Sequence, residues 1–137
     1  MLIDIDNASE EPIYRQIRTQ IISAVATGEL APGDTLPSVR SLAGDLGVNM
    51  HTVNKAYAVL RDEGYVSMFG RSGATVADPT RTMSAAKAQE HRDRIASELA
   101  RLALEFKALG GSRAEFLELA GMQADRVFPN DGEGDRK

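Results

Sequence analysis

Residues 49–55, Asn49-Met50-His51-Thr52-Val53-Asn54-Lys55, gather amide, imidazole, hydroxyl and ammonium groups without one acid among them. Such donors and acceptors suit recognition of another molecule. Bond-making chemistry is harder to assemble from this chain. It has no cysteine, which removes thiol catalysis, zinc ribbons and disulfide scaffolds together. Its two histidines, His51 and His91, have no second histidine and no carboxylate at metal-ligand helical spacing, apart from Glu90 and Asp93 beside His91 on a charged face. Gly70-Arg71-Ser72-Gly73 is too short for a phosphate loop and lacks the strand-then-helix context such loops need. No catalytic residue, metal or cofactor is expected.

The elements that would present residues 49–55 can be read from periodicity and caps. Residues 9–12 start a first helix, with Pro12 in its first turn beside Glu10 and Glu11, and Ile13, Ile17, Ile21 and Val25 mark its buried face up to Gly28. Ala31-Pro32-Gly33-Asp34 is a turn. Two short helices follow, over residues 38–46 and 49–63. Gly47 stops the first in the left-handed conformation, Asn49 caps the second, and Val48 pins the junction. Val39, Leu42, Ala43 and Leu46 face Val53, Ala56, Tyr57 and Leu60, which is the pattern of a helix-turn-helix. Two β-prone runs around the glycines at 70 and 73 then form a hairpin with Arg71 at its tip.

The expected fold is mainly α with a small β-hairpin: a winged helix-turn-helix over residues 9–77, a linker at 78–83, a helical region at 84–128 and a frayed polar tail at 129–137. Ser84 opens a long helix whose stripe is Ile95, Leu99, Leu102, Phe106 and Leu109, spaced to pair with another helix. Gly110 and Gly111 end it. Ser112 and Glu115 form the capping box of a last helix with Phe116, Leu119 and Ala120 on its inner face. The stripe, with Phe116 and Leu119, is expected to form a homodimer interface; the alternative is packing within one chain only.

With Val53, Ala56, Tyr57 and Leu60 turned inward, Met50, His51, Thr52, Asn54, Lys55 and Arg61 are left outside. A helix fits the DNA major groove, where asparagine can bond an adenine edge in two places, so Asn54 is the best candidate for base readout. His51 and Thr52 could meet bases or phosphates, Met50 a thymine methyl, and Lys55 a phosphate. Arg40, outward on the preceding helix, could reach a phosphate or a guanine, or form a surface ion pair. Ser38 and Asn49 combine capping with possible backbone contacts, and Arg71 could enter a minor groove or be an ordinary turn residue.

Charge is the opposing consideration. Residues 1–78 carry six basic against ten acidic residues, while residues 79–137 balance at ten each. Any nucleic-acid binding must rest on a few placed cations with the acids turned elsewhere. There is no apolar run long enough for a bilayer and no signal peptide, so a cytosolic location without membrane contact is expected.

The stretch opening Leu36-Pro37-Ser38-Val39-Arg40 and running to Tyr65, preceded by Pro12-Ile13-Tyr14-Arg15-Gln16-Ile17 and by Gly28-Glu29-Leu30 with Pro32-Gly33-Asp34, resembles the GntR family of bacterial winged-helix repressors. The resemblance covers residues 9–77. It implies an inverted-repeat operator bound by a homodimer, with Arg40 and residues 49–54 on the DNA. The short helical tail is most similar to the YtrA-like subfamily, which often controls transporter operons. Many relatives have a basic pair before the first wing glycine; Phe69-Gly70 stands there instead, which weakens the expected share of the wing. A competing reading, prompted by the acidic balance, is a protein-interaction module without specific DNA binding. No residue pattern points to a particular effector.

Overall fold

The computed structural model describes residues 2–69 and 73–128 of the 137 in the chain. Contacts within the chain divide it into two units, residues 1–83 and 84–137. No helix among the described residues is long and apolar enough to cross a membrane.

In the first unit, helix α1 spans Ile13–Ala26 and buries Gln16, Ile17, Ile21 and Ala24. It starts later than its sequence suggests. Pro12 is the N-cap, with an extended ψ of 145°, so Glu10 and Glu11 lie ahead of the helix rather than in its first turn. Ile13 and Val25 are only half-buried at the margins of the core. A strict four-residue spacing drifts by about 40° per step around a helix of 3.6 residues per turn, which carries the outer members off the inner face.

Helix α2, Val39–Leu46, and helix α3, Met50–Asp62, form the helix-turn-helix. Gly47 stops α2 at φ +69°, a backbone region that costs a residue with a Cβ, and Asn49 caps α3. Tyr57, Ile17, Ile21, Leu60 and Val53 are the largest fully buried side chains and set the centre of the core. Strands β1, Val66–Phe69, and β2, Gly73–Val76, pair antiparallel, with Val66 opposite Val76 and both buried.

Two features of this unit have no periodic signature. The segment read as a simple turn continues into the sheet edge: the Gly33 and Leu36 amides donate to the carbonyls of Val76 and Ala74, both at 2.8 Å, and Thr35 bridges Thr75. The polar N-terminus is also docked. Ile3 is buried in the core, and the Asp4 amide donates to Gln20 Oε1 at 2.8 Å while Gln20 Nε2 donates back to the Asp4 carbonyl at 2.7 Å. Gln16, itself buried, accepts from the Asp6 amide and donates to the carbonyls of Asp6 and Glu11. Within residues 78–83, Pro79–Thr82 forms one helical turn, α4.

The second unit is a pair of helices, α5 over Ala85–Ala108 and α6 over Arg113–Val127. Ser84 caps α5 by accepting from the Lys87 amide, and Ser112 with Glu115 forms the full reciprocal capping box of α6. The Phe106 and Phe116 rings meet at 6.0 Å, tilted by 44°. Neither helix contains a buried residue. Ile95, Leu99, Leu102 and Leu119 remain 44–52% exposed, and Leu109 86%.

Candidate nucleic-acid interface

The candidate surface is set by how α2 holds α3. Leu42 and Ala43 of α2 are buried in the same core as Val53, Ala56 and Tyr57 of α3. The Tyr57 hydroxyl donates a 2.8 Å bond to the Pro37 carbonyl, just before the α2 cap, and burial pushes this phenol up to about 12. At the other end of α3, Arg18 of α1 grips Glu63 through Nε at 2.7 Å and a second nitrogen at 3.1 Å. That charge-assisted bond to Glu63 raises the Arg18 guanidinium above its ordinary value against the opposing effect of desolvation.

Held this way, α3 turns Met50, His51, Asn54 and Lys55 outward, with Thr52 half-buried between them. Val39, Asn49, Met50, His51 and Asn54 line one shallow concavity, and no carboxylate lines it. Within it Asn49 is partly committed, since its Oδ1 accepts the His51 amide at 2.7 Å, whereas the Asn54 amide has no partner among the described residues. Ser38 is likewise engaged, its hydroxyl accepting the Ser41 amide at 3.0 Å.

The cations differ in how they are held. Arg40 is exposed and forms no ion pair among the described residues, so the surface-pair alternative is not found there. Arg61 is tied to Asp62 at 3.1 Å. The Lys55 ammonium lies 4.2 Å from the centre of the Tyr14 ring, an arrangement across α1 and α3 for which the sequence carries no signal. Arg71 lies outside the described residues. Several acids are occupied away from this face: Glu63 and Asp62 by arginines, Asp34 by the Ala31 amide, and Asp6 by the Ala8 amide. Among the described residues no group of three or more His, Cys, Asp or Glu side chains could hold a metal.

Residues 13–76 match the family described as bacterial regulatory proteins, gntR family. The chain is 43% identical over 89 residues to the HTH-type transcriptional regulator Rv1152 of Mycobacterium tuberculosis, covering 64% of this chain and 74% of the relative. It is 40% identical over 81 residues to the HTH-type transcriptional repressor YtrA of Bacillus subtilis, covering 59% and 62%. Among solved structures, a transcriptional antiterminator from Listeria monocytogenes superposes with a TM-score of 0.80 at 30% identity, over 96% of both chains. YtrA from Sulfolobus acidocaldarius, a GntR-family transcription factor, superposes at 0.56 with 47% identity, over 73% of this chain and 99% of that one. The winged helix, the placement of α3 and these likenesses together make the chain a member of the GntR family, in its YtrA-like branch, and a DNA-binding transcription regulator rather than an enzyme.

Proposed function

We propose that the protein is a cytosolic homodimeric repressor that binds an inverted-repeat operator, such as that of a transporter operon. The carrying observation is the acid-free concavity at the start of α3, in which Asn54 offers an amide with no partner among the described residues, beside Met50 and His51. Placed in a major groove, Asn54 pairs with an adenine edge, Met50 covers a thymine methyl, and His51 and Thr52 complete base or phosphate contacts. Arg40, which forms no ion pair among the described residues, meets a phosphate or guanine from α2, with Ser38 and Asn49 at the helix starts and Arg71 as lesser contributors. Bulk charge cannot supply this affinity, because residues 1–78 carry more acids than bases.

Symmetry supplies the rest of the reading. A two-fold dimer places two α3 helices about one helical turn of DNA apart, so its site is an inverted repeat. Ile95, Leu99, Leu102, Phe106, Leu109, Phe116 and Leu119 provide the apolar face for the second copy, since one chain alone leaves Ile95, Leu99, Leu102, Leu109 and Leu119 exposed and only half-buries Phe106 and Phe116. Repression follows the activity named for YtrA of Bacillus subtilis. The test is selection of bound duplexes from a random pool, followed by a reporter carrying the selected site. Enrichment of an inverted repeat and lower reporter output in the presence of the protein are expected. Absence of any enriched sequence sinks the operator reading and leaves the interaction-module alternative.

A further inference from the structure

Lys55 is held differently from the arginines of the first unit that have partners. Arg18 and Arg61 face carboxylates, which neutralise their charge and occupy their donors. Lys55 instead lies against an aromatic ring, its Nζ 4.2 Å from the Tyr14 centroid. A ring face attracts an ammonium through its quadrupole but carries no net charge, so the cation keeps its full charge and its N–H donors remain available to oxygen ligands. A free lysine also loses more rotamer freedom on contact than almost any other side chain, and a cation already ordered on a ring loses less. The position suits such a role. Lys55 adjoins Asn54 and lies one helical turn beyond His51, two residues that line the concavity at the start of α3.

We propose that Tyr14 is a positioning residue for DNA binding, its ring holding the Lys55 ammonium at the edge of the α3 surface so that it meets a backbone phosphate. This rests on the reading of α3 as the DNA-contacting helix. Nothing in the local pattern of α1 announces it, because Tyr14 and Lys55 are brought together only by the packing of α1 on α3.

The test uses the full chain and a fluorescein-labelled random-sequence duplex about three helical turns long, titrated between about 50 and 200 mM salt. Lys55→Ala should flatten the slope of log affinity against log salt by about one. Tyr14→Leu should weaken binding about two- to fivefold at constant salt, and Tyr14→Phe, which keeps the ring face, should stay within about twofold of the parent. Added to Lys55→Ala, Tyr14→Leu should cost nothing further. If Tyr14→Leu fails to fold, Tyr14→Met takes its place. Should the Tyr14 loss persist undiminished in the Lys55→Ala background, or be absent altogether, the positioning role is overturned while the α3 reading stands. An unchanged salt slope in Lys55→Ala overturns Lys55 as a phosphate contact, and Tyr14 with it.

Discussion

The Tyr57 hydroxyl of α3 is bonded to the Pro37 carbonyl at 2.8 Å, which ties α3 to the point where α2 begins. Tyr57→Phe should cost about 0.5–1.5 kcal/mol at neutral pH, leaving the Pro37 carbonyl without its donor. Burial of the same phenol also gives stability a dependence on alkaline pH. Burial lifts the folded-state phenol from its ordinary 10.0 to about 12, so the neutral form is favoured in the folded chain. The resulting stability is complete below about pH 10 and is lost as pH rises through about 12. Other tyrosines and lysines titrate in both proteins, so the parent-minus-variant difference isolates Tyr57. In urea unfolding that difference should narrow between these two pH values; a constant gap would show that the hydroxyl is not held neutral by the fold.

Asn54 is the residue whose loss should change sequence preference. Asn54→Ala is expected to cost about 1–3 kcal/mol on the selected site, confined to one base pair in each half-site. On random duplex the loss should be much smaller. Anisotropy titration of both duplexes decides the matter, and equal losses on the two would mean that Asn54 reads no base.

The Arg18–Glu63 pair joins α1 to the C-terminal end of α3 with two-pronged geometry at partly exposed positions. Its coupling energy in a double-mutant cycle with Arg18→Ala and Glu63→Ala should be about 1 kcal/mol, the upper end for pairs that water still reaches. High salt should reduce it. A coupling near zero in low-salt urea titrations would assign the tie between α1 and α3 to apolar packing alone.

Leu102 sits at the middle of the α5 stripe and is 44% exposed in the single chain. Leu102→Glu should therefore leave helix content unchanged while converting a dimer to a monomer in sedimentation velocity. A chain ending at residue 77 that still sediments as a dimer would move the interface out of the helical unit.

Gln16 holds the N-terminal segment through one accepted and two donated bonds, at 2.9, 3.1 and 2.9 Å. Gln16→Ala should destabilise the fold by about 1–3 kcal/mol, since it strands main-chain groups of Asp6 and Glu11. Amide exchange should accelerate first in residues 2–11. Uniform acceleration across α1 and α3 instead would show that the segment does not open as a local unit.

Much of the fold was legible because its signals are local. Ser38, Asn49, Ser84 and Ser112 each accept a main-chain amide two or three residues onward, and Gly47 adopts the positive φ that its type permits. Such contacts are decided within one turn of chain, so residue type and spacing are enough to read them. The outward set on α3 follows from the same logic, once Val53, Ala56, Tyr57 and Leu60 define the inner face. The start of α1 is not legible in the same way, for an equally physical reason. Pro12 suits either the first turn or the cap, and only its ψ, extended at 145°, makes it the cap.

By itself, then, the sequence determined the helix boundaries at the helix-turn-helix, the apolar stripe of α5 and the small group of side chains that could meet DNA. The tertiary structure alone decided how those side chains are held. Tyr14 on Lys55, Tyr57 on Pro37, Arg18 on Glu63, and Gln16 on Asp6 and Glu11 join residues with no shared periodicity. Hydrophobic patterning says which face of a helix is buried. It does not say which residue of another element that face will meet, because that depends on the angle and register at which whole helices pack.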